Sequence, residues 1–90
     1  MPATLVTPVV FGSQSATGVH LRNVRVYVES DLVDFDAVYI AGSTPFMPCA
    51  APTMTHAAFK TALLAAGGTF KNANYVVLMA QLGLAYSAIT

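Results

Sequence analysis

Charge is confined to one short stretch of this chain, and that restricts its fold more than any other feature. All four carboxylate side chains, Glu29, Asp31, Asp34 and Asp36, fall within eight residues. Arg22 and Arg25 lie just before them, and only Lys60 and Lys71 supply cations to the other half. Residues 37–59 and 72–90 contain no Asp, Glu, Lys or Arg. Two uncharged blocks therefore surround one charged hairpin. The expectation is that the hairpin faces solvent while the blocks supply the core and the interfaces.

Ninety residues suit one domain spanning 1–90. A domain this small buries only about 60–65% of its unfolded surface, so extra stability from disulfides, metals or partner chains is common at this size. The single cysteine, Cys49, rules out an internal disulfide and leaves a cysteine-based zinc site short of ligands. Partner chains remain as the expected source. Charged residues are 9% of the chain, against roughly 25% in an average soluble domain, and the net charge is zero. Four cations cannot line a basic groove along many phosphates, so nucleic-acid binding is not expected. An anionic membrane surface is disfavoured on the same ground. A mean hydropathy of +0.62 argues against disorder. The start, Met1-Pro2-Ala3-Thr4, lacks the basic region of a secretory signal.

The pattern predicts an α+β domain: a small, mostly antiparallel sheet of four to five strands with one helix at about 54–66. Residues 3–11 read as a strand in which Leu5, Val9 and Phe11 share a face. Pro8 makes it an edge strand or a strand with a break. Residues 12–18 read as a loop, and 19–29 as the cleanest strand, with Val24, Val26 and Val28 alternating against Arg25, Tyr27 and Glu29. Ser30-Asp31 marks a turn into a return strand at 35–41. The proline-rich segment 42–52 reads as an irregular loop or arm. The helix is N-capped by Thr53, has an apolar stripe of Phe59, Ala62, Leu63 and Ala66, and stops at Gly67-Gly68. Residues 75–80 read as another strand, and 81–90 are open between strand and helix.

Few residues converge on chemistry. The acidic cluster is a weak candidate for a calcium site, through Glu29, Asp31, Asp34 and Asp36, but it lacks the glycine and terminal Glu of an EF-hand loop. A solvated hairpin paired to Arg22 and Arg25 is the plainer expectation, and no metal or cofactor is expected. His20 and His56 have no second ligand at metal spacing and no nucleophile motif nearby. Cys49 sits among prolines and small residues without charge to activate it. No glycine pattern supports nucleotide binding. Pro2 resembles the leading proline of the tautomerase family, in which a helix follows the first strand. Here GSQSATG and another strand follow, so the resemblance stops at Pro2.

What the chain offers in quantity is Ala, Thr, Val and Ser. Such side chains lose little entropy on burial and hydrogen-bond without burying charge. In composition the chain resembles small capsid-associated and decoration proteins of tailed phages. The leading expectation is a structural assembly protein and not an enzyme: a homo-oligomeric virion component that contacts itself or a larger protein shell. Leu5, Val9 and Phe11 of the first strand, with Phe46, Met47 and Pro48 of the prolyl arm, are the expected interface residues, and Phe46 is the aromatic anchor. Two alternatives stand beside it. One is a small oligomeric enzyme or ligand-binding α+β module, expected in the cytoplasm. The other is a membrane-associated subunit using 73–90, although a span is disfavoured by Gln81, Gly83 and Ser87.

Overall fold

The computed structural model describes residues 3–49 and 53–89, which form one antiparallel sheet backed by two helices. The elements are β1 (Ala3–Phe11), β2 (Gln14–Tyr27), β3 (Leu32–Ala41), β4 (Thr44–Pro48), β5 (Met54–Thr55), α1 (His56–Ala66), α2 (Phe70–Leu82) and β6 (Tyr86–Ile89). The sheet runs β4-β3-β2-β1-β6, and β5 pairs with the start of β3 on the same side as β4. Every pairing is antiparallel.

The β2–β3 hairpin is the spine. Alternation sends Val33, Phe35 and Ala37 of β3 into the core, opposite Val26, Val24 and Leu21 of β2. Asp34 and Asp36 take the other face and pair with Arg25 at 2.6 Å and Arg22 at 2.9 Å. The hairpin turns where expected, and Asp31 takes φ 53°, a left-handed position that Asp tolerates better than most residues. Arg22, Arg25, Asp34 and Asp36 thus share one side of the two strands, away from Val33, Phe35 and Ala37.

β1 pairs with β2 at Ala3 and Thr4, breaks, and resumes at Val9 three residues out of register. Pro8, which cannot donate to a ladder, lies inside that break. Where β1 is regular it approaches β2 closely. A Cβ on Gly18 would stand 2.8 Å from the Ala3 carbonyl oxygen and 3.2 Å from Ile40 Cδ1. Glycine there lets β1 and Ile40 close over the strand.

The core joins Ala3, Leu5, Val19, Val33, Phe35 and Ala37 of the sheet to Phe59 of α1 and Tyr75, Val77, Leu78 and Met79 of α2. Phe35 and Phe59 meet edge to face at 5.8 Å, a favoured aromatic geometry.

Several expectations are corrected. The strand expected at 75–80 is the middle of α2, because caps outweigh the β-branched pair Val76-Val77. Thr69 Oγ1 accepts from Asn72 N–H at 3.2 Å, and Gly83 closes the helix in the left-handed region at φ 70°. The expected 12–18 loop shrinks to a turn, since β2 begins at Gln14. Within the 42–52 arm, Thr44–Pro48 forms strand β4; an edge position tolerates its prolines. Ala50, Ala51 and Pro52 of that arm, like Met1, Pro2 and Thr90, lie outside the described residues. Helix α1 starts at His56, later than expected, and its cap is Thr55 rather than Thr53, accepting from Ala58 N–H. The open stretch 81–90 resolves into a helix end and strand β6.

Candidate assembly surface

The two edges of the sheet position the candidate surface. On one side β4 carries Pro45 and Pro48 in five residues. Its register with β3 shifts between Tyr39 and Ile40, and proline plus irregularity blunts an edge against further pairing. On the other side β6 reads Tyr86-Ser87-Ala88-Ile89, with no proline and no charged side chain. It pairs with β1 only from Ala3 to Leu5, and Val6 N–H reaches Ala85 O at 3.2 Å. Beyond that point Val9–Phe11 have β2 on one side and no strand on the other among the described residues. Val6 and Val10, 59% and 68% exposed, stand along this stretch.

The expected interface residues divide between these regions. Leu5 is buried in the domain's own core. Val9 and Phe11 are half-buried, packed against it. Phe46 is half-buried too, meeting the Phe11 ring edge-on at 5.9 Å, while Phe11 in turn contacts Tyr39 at 4.9 Å. The structure therefore joins the first strand and the prolyl segment through one aromatic cluster. Met47 and Pro48 are exposed on the β4 side.

Exposed apolar side chains that sequence reading missed lie elsewhere. Val28, at the β2–β3 turn, is 88% exposed. On the helical layer, α1 buries Phe59 alone and turns Ala57, Ala58, Thr61, Leu64 and Ala65 outward. The expected stripe does face inward, with Phe59 buried and Ala62, Leu63 and Ala66 half-buried; the missed signal is that the opposite face is also largely apolar, made of alanines and Leu64.

Arg22, by hydrogen bonding, holds the Asp36 carboxyl below its ordinary value. Among the described residues no three of His, Cys, Asp and Glu gather as a metal-holding group. Of the acidic cluster, Asp34 and Asp36 are engaged by arginines, and Glu29 and Asp31 lie at the exposed turn. His20 lies in mid-β2 opposite Val38, and His56 opens α1, its N–H bonded to Asp31 O at 3.1 Å. Burial pushes the Cys49 thiol up to about 11, which leaves it protonated and a poor nucleophile at neutral pH. Pro2, being outside the described residues, is not placed; the element after β1 is a strand.

No helix among the described residues is long and apolar enough to cross a membrane. Residues 73–89 instead divide between α2, a turn and β6. No family model matches this sequence, and no curated protein or solved structure is significantly similar to it.

Proposed function

We propose that this protein is a structural subunit that assembles with copies of itself through low-charge apolar surfaces, as a cement or decoration component of a virion does. The observation that carries the reading is the edge formed by β6 and the outer half of β1, on which no further strand pairs among the described residues. An unpaired edge presents a row of backbone donors and acceptors to another strand, and proteins that stay monomeric blunt such edges. Here β4 is blunted with two prolines, whereas β6 carries neither proline nor charge; on the β1 part of that edge Pro8 is the one proline, and no charged side chain is present. The outward small residues of α1 offer a second contact layer at low entropic cost. The scarcity of charge favours contact with a neutral protein shell over nucleic acid.

Light scattering after size exclusion at micromolar concentration tests the reading. A defined oligomer, or retention on a capsid shell, is expected. A folded monomer that binds neither itself nor a shell overturns it.

A further inference from the structure

The unflanked stretches of the sheet differ in what they can accept. At β4 a strand arriving from outside meets two prolines in five residues. The outer half of β1 contains Pro8. β2 has no strand on its β1 side beyond Val19, but α2 stands beside Leu21–Val24 there, and the Tyr75 hydroxyl takes the Leu21 N–H at 2.9 Å. That stretch of β2 also carries Arg22 and Arg25. β6 has four residues without proline or charge, and no strand pairs with its outer side among the described residues. A head-to-tail row of copies would have to pair β6 of one with β4 of the next, and the prolines of β4 oppose that.

The sequence of β6 instead suits pairing with itself. Tyr86 lies opposite Leu5, Ala88 opposite Thr4 and Ile89 opposite Ala3, so Ser87 is the extra residue of a bulge. Strict alternation would put residues three apart on opposite faces. The bulge brings Tyr86 and Ile89 to the same face as Leu5 and Ala3, where both are half-buried against the core. Ser87 and Ala88 lie between them and are exposed. The order is therefore large apolar, small, small, large apolar, which reads alike in both directions. Laid antiparallel on a second copy, Tyr86 stands opposite the partner's Ile89, and Ser87 opposite the partner's Ala88. Directly opposite residues share a face, so the outer pairs are aromatic against β-branched, a favourable cross-strand combination, and the small pairs meet at the axis. A two-fold contact also sets each side chain near its own copy. A charged edge would repel itself there, and β6 has no charge.

Given the self-assembly proposed above, we infer that its unit is a closed two-fold dimer in which β6 pairs antiparallel with β6 of a second copy, Tyr86 against the partner's Ile89. The sheet then runs unbroken through ten strands, β4-β3-β2-β1-β6 followed by the same five in reverse, with the proline-bearing β4 at both outer ends. An isologous contact of this kind closes on itself, so strand-by-strand growth stops at the pair.

Two variants at one exposed position test the symmetry. Ser87→Lys and Ser87→Glu should each remain folded and run as a monomer in light scattering, because the two-fold sets like charges side by side. An equimolar mixture should recover dimers of mixed composition, associating at least about tenfold more tightly than either variant alone. Loss of association without recovery on mixing overturns the two-fold pairing and leaves self-assembly standing, because β6 then meets a different surface. Association of either variant alone at wild-type strength overturns the pairing too. The wild-type chain supplies a readout that needs no variant. Amide exchange at Tyr86–Ile89 should slow at least about tenfold as rising concentration forms the dimer, with β4 unchanged. Equal slowing at β4 overturns the two-fold. A wild-type chain that binds a capsid shell but stays monomeric overturns the dimer alone; one that does neither overturns the assembly reading with it.

Discussion

β4 and β6 end the same sheet, and they meet an approaching strand with different chemistry. β4 carries two prolines in five residues and a register irregularity against β3. At its end, Cys49 N–H is already bonded to Ala37 O at 2.8 Å. β6 has four residues, none of them proline or charged, and it leaves the outer half of β1 uncovered. Both edges are short and apolar, so hydropathy does not separate them. Both pairings also shift register once, so what separates β4 from β6 is the two prolines of β4, each of which removes a backbone donor. An edge is adhesive or inert according to its N–H and C=O groups before its side chains contribute.

The largest expected effect follows from exchanging those properties. Ser87→Lys with Ala88→Lys places two charges on exposed positions of β6. Self-association should be lost, with a shift to monomer in light scattering and little change in the melting temperature. The reverse change, Pro45→Thr with Pro48→Thr, should open the β4 edge and drive growth beyond the native oligomer. Unchanged oligomers in both variants would remove the edges from the assembly.

Next in size is a chemical probe of the closed edge. A thiol with pKa about 11, against about 8.5 when unperturbed, holds far less thiolate at pH 7.5. Alkylation of Cys49 in the native protein should therefore run about a hundredfold slower than in the unfolded chain. The rate should climb as pH rises toward 11. A native rate equal to the unfolded one would show that the β4 end is open.

Gly18 tests how the adhesive edge is held. β6 reaches the sheet only through β1, and β1 seats its Ala3 carbonyl over Gly18. In Gly18→Val the added Cβ would meet that backbone oxygen, which cannot swing aside as a flexible side chain can. Destabilisation of about 1–3 kcal/mol is expected, read as a melting temperature lower by several degrees. Hydrogen exchange should speed up more in β1 and β6 than in β3 and β4.

Much of the β2–β3 hairpin was legible because period-two alternation, a turn at Ser30-Asp31 and the placement of charge all agree there. The α2 segment was not, because Tyr75 to Met79 is a continuous apolar run that strand and buried helix share. Thr69 and Gly83, bracketing thirteen residues, were the informative signal. β4 was hidden by Pro45 and Pro48, which exclude a central strand and are tolerated at an edge. The candidate surfaces were less legible still. Leu5 and Phe46 are apolar residues whose use depends on which strand lies beside them, and strand order is a property of the whole chain.

The smallest expected effect concerns the charged face, which belongs to neither edge. Asp36 is held low chiefly by its hydrogen bond to Arg22, with Asn23 assisting at 3.5 Å. A carboxyl whose folded pKa lies below the unfolded value of about 3.9 adds stability that is in place above that value. That stability is lost as pH falls through the lower folded pKa. Thermal melts should therefore be flat from neutral pH down to about pH 5 and decline below about pH 4. Asp36→Asn should flatten part of that decline and lower the neutral-pH melting temperature only slightly, because exposed pairs contribute little. Salt should shrink the difference further, since the pair is screened. If Asp36→Asn instead abolished assembly, the charged face would have to be counted with the β6 edge as a contact surface, and the division between a solvated hairpin and adhesive uncharged blocks would fail.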